Sequence, residues 1–322
     1  MGARNALGRR LGLTVALALS TLGRDTTGVE AAPTGPAVTA CEGDRPPLPA
    51  ALFFRDLRAA AFPGSDATDA ADVAVHVPPG FDATRRPGVV LYFHGWNGCV
   101  AQALADDDAP CTPDGDARAG AGLAAQLDEA GVNAILVAVE LRVDAPTGEP
   151  GQLAAPGDAR QLLRELFTEH LAEPLGCTLE LEAIDRVVLV AHSGGYQAVA
   201  SALELGELPR VHEVVLLDAL YGADHVFTSW ITDALEGSRD GDSAPRFVDL
   251  YTCCGGTLER SRAMARAAGL DRADDDTPQP TLTRPVVFAR VAEAHGALPR
   301  AYFRAIIEAA GFAPRSRSGL RD

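Results

Sequence analysis

A series of short, unbroken apolar runs constrains this chain more than any other feature. They are Gly88–Phe93, Ala134–Val139, Arg186–Ala191, Val214–Leu217, Phe247–Tyr251 and Val286–Val291, with Val73–Val77 ahead of them. Each is too short for a buried helix and rich in branched side chains, so each reads as a strand covered on both faces. Amphipathic segments lie between them. One spans about Gly120–Ala130 with Gly131 as its stop, and another is capped by Asp158 and carries Leu162, Leu163, Leu166 and Phe167. Further helices are expected from about Gly194, after a cap at Thr257, and from near Pro299 to Gly311. Buried strands alternating with such helices give an α/β fold: a mostly parallel, doubly wound sheet with helices on both faces. The pattern runs from about residue 51 to residue 322, with no internal repeat.

In sheets of this kind, sites form at the carboxyl ends of the strands. At one such end the sequence reads Val190-Ala191-His192-Ser193-Gly194-Gly195-Tyr196. An apolar strand runs straight into a serine flanked by small residues, and a helix begins at once. This is a nucleophile elbow in the form A-H-S-G-G. The sharp turn requires small residues two before and two after the serine, and Ala191 and Gly195 meet that need. The new helix aims its amino terminus at the position where negative charge develops.

A second strand ends in Phe93-His94-Gly95-Trp96-Asn97-Gly98. With the elbow and with Val75-His76-Val77-Pro78-Pro79-Gly80-Phe81, it resembles the esterase pattern of the α/β-hydrolase family, and the resemblance covers about residues 70 to 312. That resemblance implies a serine hydrolase with Ser193 as nucleophile. It implies oxyanion-hole donors at the backbone amides of Trp96 and Gly194, and a structural His94 that shapes the loop. It places the base at His295, in the loop Ala294-His295-Gly296-Ala297 after the last strand. His225 is the alternative base, and His212 lies at the wrong end of its strand. The usual acid position, after Tyr251, holds Thr252-Cys253-Cys254-Gly255-Gly256 and no carboxylate, which departs from the family pattern. Asp218, closing the strand Val214–Leu217, is the favoured acid, with Asp224 and then Asp249 behind it.

The stretch from Ala219 to Pro245 is long for a connection and is expected to hold a helix beside the serine, as a wall or partial lid. Tyr221, Phe227, Trp230 and Trp96 are the expected substrate-lining aromatics. The reaction expected is acyl transfer from a carboxylic ester to water, which needs no cofactor and no metal. A peptidase or amidase would use the same residues, and a non-catalytic binding protein on the same fold is the rival from another class. A dinucleotide site would need G-x-G-x-x-G after a strand, and none is present.

Composition narrows the partners. A formal net charge of -16 disfavours nucleic acid and anionic lipid, so the expected partner is a small ester or peptide. All basic residues are arginines, which excludes Schiff-base chemistry, Ser-Lys dyads and a P-loop lysine. Asp106, Asp107, Asp108, Asp114 and Asp116 read as a solvated acidic loop without EF-hand spacing, and Asp274, Asp275 and Asp276 likewise. The 6 cysteines include no zinc spacing and suggest disulfides, with Cys99–Cys111 the most local pair. Residues 1–31 read as a cleavable export signal: Arg4, Arg9 and Arg10 precede the apolar run Leu11–Leu22, with Val29-Glu30-Ala31 as a cleavage site. Residues 32–50 read as a linker, and a secreted or periplasmic location follows. No stretch suits a membrane span, and oligomeric state is left open.

Overall fold

The computed structural model describes residues 48–63, 71–112, 115–237, 244–270, 274–275 and 280–315, and the expected leader lies outside them. The strands in chain order are β1 (Leu52–Phe54), β2 (Val73–His76), β3 (Gly88–Phe93), β4 (Ala134–Val139), β5 (Arg186–His192), β6 (Val211–Leu217), β7 (Arg246–Tyr251), β8 (Asp274–Asp275) and β9 (Val286–Arg290). They form one sheet in the order β1-β2-β4-β3-β5-β6-β7-β9-β8. β1, β2 and β4 pair antiparallel; every pairing from β4 through β3 to β8 is parallel.

The helices are α1 (Val100–Leu104), α2 (Leu123–Ala130), α3 (Asp158–Glu165), α4 (Ala172–Leu175), α5 (Tyr196–Glu204), α6 (Asp224–Gly237), α7 (Leu258–Ala267) and α8 (Leu298–Ala309). Strand periodicity divides the core between two faces. Val89, Leu91 and Phe93 of β3 enter one apolar cluster with α3, α5, α6 and α7. Val90 and Tyr92 enter the other, with α1, α2 and α8. Burial on both faces is why these strands read as continuous apolar runs instead of alternating ones.

Local details differ from the sequence reading where a side chain finds another partner. Asp158 is the first residue of α3, and the cap is Gly157 in a left-handed conformation. Thr257 does sit at the cap of α7 but makes no capping bond, because its hydroxyl donates to Asp218. The acidic pair Asp274-Asp275 forms the short edge strand β8 and not a loop. The segment expected as a lid is α6, and Val226, Phe227, Ile231 and Ala234 bury its inner face in the core. It packs as a crossover helix between β6 and β7. The expected Cys99–Cys111 disulfide is present, Cys253 is bonded to Cys254, and Cys177 is disulfide-bonded as well.

Candidate active site

β5 ends at His192, α5 begins at Tyr196, and the chain turns between them within Ser193–Gly195. Ser193 has φ +53°, a left-handed conformation that costs a side-chain-bearing residue about 1–3 kcal/mol. The strain lifts its hydroxyl clear of the sheet end. The turn fits only because its neighbours are small. A Cβ on Gly195 would sit 2.4 Å from Phe93 O, and one on Gly95 would sit 2.5 Å from Ser193 Cβ. The β3 loop thus passes directly against the serine.

Ser193 Oγ donates to His295 Nε2 at 2.9 Å, and His295 Nδ1 donates to Asp218 Oδ2 at 2.7 Å. These residues lie at the carboxyl ends of β5 and β6 and in the loop after β9. Asp218 is fully buried, with φ +48°. Its oxygens accept further bonds from Thr252 N at 3.2 Å, Thr252 Oγ1 at 2.6 Å and Thr257 Oγ1. Burial alone would raise the Asp218 pKa, but the bonds from His295, Thr252 and Thr257 outweigh it and bring it down to about 2.

The structure separates the alternatives from this constellation. Asp224 is an exposed partner of Arg260 at 2.7 Å, and His225 is an exposed partner of Glu204 at 3.0 Å. Asp249 is enclosed within β7, where burial pushes its carboxyl up to about 8.

A cleft of about 470 Å³ opens at Ser193 and His295, with Gly95, Trp96 and Asn97 along its wall. Trp96 is 53% exposed at this wall. Tyr221 stands beside the serine, where burial pushes its phenol up to about 12 against an opposing contact from Ser193, and its hydroxyl donates to Gly255 O. The other two expected substrate aromatics are elsewhere. Phe227 is wholly enclosed in the core, and Trp230 packs on that core with its indole N–H on Arg246 O at 2.8 Å. Their helical spacing reflects packing and not substrate contact.

The strand order, with serine after β5, aspartate after β6 and histidine after the last long strand, decides the architecture. The chain has the α/β-hydrolase fold. No protein-family model and no curated protein sequence matches it. Solved structures similar to it include a mutant feruloyl esterase module from Clostridium thermocellum complexed with sinapinate, at 12% identity and TM-score 0.44, covering 76% of this chain and 84% of that one. Esterase 2 of Thermogutta terrifontis phosphorylated by paraoxon is similar at 14% identity and TM-score 0.42, covering 82% and 93%. A thermostable esterase is similar at 14% identity and TM-score 0.41, covering 73% and 56%.

On this hydrolase frame, several supporting residues escape a sequence reading. His192 Nε2 donates to the backbone oxygen of His295 at 3.0 Å, and the rings stand 4.9 Å apart. Burial and the neighbouring His295 ring hold its pKa down at about 4, so it is neutral near pH 7 and adds no repelling charge. Its only sequence signal is adjacency to Ser193. In sequence Thr252 is an ordinary loop residue and Thr257 a helix cap, yet both donate to Asp218. Thr252 Oγ1 also accepts from Cys254 N at 3.3 Å and Gly255 N at 3.0 Å. The Cys253–Cys254 bond therefore closes the turn that presents it. His94, expected from the sequence to shape the loop under Trp96, is buried, accepts from Leu141 N at 2.8 Å and donates to Gly95 O at 2.9 Å. Among the described residues no group of His, Cys, Asp and Glu is arranged to hold a metal ion.

Proposed function

We propose that this protein is a serine hydrolase that cleaves carboxylic esters through an acyl-enzyme intermediate. The observation that carries the proposal is His295 bridging Ser193 Oγ and the buried carboxylate of Asp218. Ser193 Oγ attacks the ester carbonyl as His295 Nε2 takes its proton. Asp218 holds the Nδ1–H tautomer and stabilises the imidazolium. The oxyanion rests on the backbone N–H groups of Trp96 and Gly194, a role supported by their positions beside Gly95 and Ser193. The C–O bond to the alcohol breaks as His295 returns the proton to the leaving oxygen. Water then attacks the acyl-serine with His295 again as base, releasing the acid and restoring Ser193.

An ester is the bond assigned because it is intrinsically more reactive than an amide, and His295 is the proton donor the cleft offers at Ser193. An exported location is part of the same reading, supported by the disulfides Cys99–Cys111 and Cys253–Cys254, which persist in oxidising compartments.

The test is labelling of the purified protein with a fluorophosphonate, beside Ser193→Ala and His295→Ala, followed by short p-nitrophenyl esters and matched anilides. Labelling of the parent alone, with esters turned over faster than anilides, is expected. A folded parent that neither labels nor cleaves esters overturns the proposal in favour of a binding protein. Faster anilide turnover moves it to an amidase.

A further inference from the structure

The cleft at Ser193 carries a charge pattern that ester cleavage by itself does not require. Among the described residues no Asp or Glu lines it, although the chain has 44 acidic residues against 28 basic ones. The permanently charged side chains in its lining are Arg118 and Arg300. Arg118 belongs to the segment between α1 and α2, and its backbone bridges to Ala109, which lies within the loop closed by the Cys99–Cys111 bond. Arg300 projects from the first turn of α8.

Both arginines are held by neutral groups. Arg118 Nη1 donates to Asn97 O at 3.4 Å. Arg300 Nη1 donates to Gly120 O at 2.8 Å and to Asp106 O at 3.1 Å. The contact with Gly120 brings Arg300 against the segment that carries Arg118, and both side chains line the cleft. Among the described residues neither lies within ion-pairing distance of a carboxylate, and their Nε and Nη2 donors have no protein partner. A guanidinium is a planar fork that matches a carboxylate, and two of its N–H groups can engage both oxygens at once. The loop's own acids, Asp106, Asp107, Asp108 and Asp116, are exposed and take no part in the lining. In a protein of net charge -16, whose overall field repels anions, a cleft whose described lining holds two arginines and no carboxylate is a local reversal of sign.

We propose that Arg118 and Arg300 recognise a carboxylate on the substrate, so that the ester cleaved is a half-ester of a dicarboxylic acid or another ester bearing a carboxylate away from the scissile bond. This rests on the serine-esterase reading of the same cleft. The arginines bind and orient the remote anion; Ser193 and His295 act on the ester carbonyl.

The test compares the mono-p-nitrophenyl ester of adipic acid with its methyl-capped neutral analogue, read as a ratio of kcat/KM. At low ionic strength the parent is expected to favour the anionic ester by about ten-fold, and the preference should shrink in about 0.5 M NaCl. Arg118→Gln should bring the ratio toward one, and Arg118→Glu should reverse it. Arg118 is chosen because its one contact is long, so its loss disturbs the loop least. In a separate arm, titration calorimetry follows monomethyl adipate binding to the Ser193→Ala protein, with and without Arg118→Glu. Binding weakened at least ten-fold by the charge reversal is expected. A parent that cleaves the neutral ester as well or better, with a ratio unmoved by either Arg118 variant, overturns this inference and leaves the esterase reading standing. A parent that cleaves neither and resists the fluorophosphonate overturns the esterase reading, while the calorimetric arm still decides whether the cleft takes a carboxylate.

Discussion

Thr252 donates its hydroxyl to Asp218 Oδ2 at 2.6 Å, the same carboxylate oxygen that accepts His295 Nδ1–H at 2.7 Å. The acid is therefore oriented from β7 as well as held at the end of its own strand, β6. A bond of this kind to a charged acceptor contributes about 1.5–3 kcal/mol. Thr252→Val should lower kcat by roughly ten- to a hundred-fold, as that energy converts. KM should change little, because Thr252 does not line the cleft. Thr252→Ser, which keeps the hydroxyl, should restore most of kcat. Equal loss in both variants would show that Thr252 supports only the loop.

Gly95 makes a second, steric prediction. Its missing Cβ leaves the space that Ser193 occupies, since an added Cβ would stand 2.5 Å from Ser193 Cβ. Gly95→Ala must displace either the elbow or the loop bearing Trp96. Misplacement of about 1 Å at a reacting centre commonly costs about a hundred-fold. Fluorophosphonate labelling should slow by at least that factor, while far-ultraviolet circular dichroism stays that of the parent. Labelling at the parental rate would show that the loop yields freely and does not define the oxyanion position.

Much of this was legible in the sequence because backbone requirements leave strong marks. A strand buried on both faces must be apolar throughout, so β3, β4 and β5 announce themselves within a residue of their observed ends. The elbow needs small residues around Ser193, and a turn with φ +53° cannot be built otherwise. His295 and Asp218 were legible through their position at strand ends. What stayed hidden depends on which side chain turns toward which. Thr257 carries the signature of a helix cap, and only the fold shows its hydroxyl spent on Asp218. Phe227 and Trp230 have the spacing of an aromatic wall, but helical spacing alone does not say whether that face meets the sheet or the cleft. Arg118 and Arg300 are far apart in the chain and line one cleft through a loop whose path no periodicity encodes.

The Cys99–Cys111 bond closes a short loop, with a sequence separation of 12. Closing a loop of that length in the unfolded chain stabilises the fold by about 3 kcal/mol. The double variant Cys99→Ala, Cys111→Ala should therefore unfold at lower denaturant concentration with nearly the same slope. Because Ala109 of that loop bridges to Arg118, and Arg300 is held on Gly120 two residues further on, KM should rise more than kcat falls. An unchanged denaturation midpoint would mean that the loop's backbone bridge, Ala109 to Arg118, already fixes it.

Two buried carboxylates give the fold opposite responses to pH. Asp218 has its pKa depressed to about 2, so its contribution is present above the ordinary carboxylate range and is lost as pH falls toward 2. Asp249 is the reverse case. It is fully buried in β7, neither oxygen has a hydrogen-bond partner among the described residues, and burial raises it to about 8 against a partial offset from nearby Ser261. The folded state therefore keeps a proton that the unfolded chain releases near pH 4, so stability falls as pH rises from about 4 to about 8. Asp249→Asn is neutral at every pH and close in shape. It should match the parent's Tm near pH 5 and exceed it increasingly toward pH 8, while fluorophosphonate labelling of Ser193 continues. Thermal melts of both proteins across that range check the sign. If Asp249→Asn were the less stable protein at pH 8, the carboxylate would have to be ionised and paired in the native state, which its enclosure between Leu216 and Phe288 of the neighbouring strands opposes.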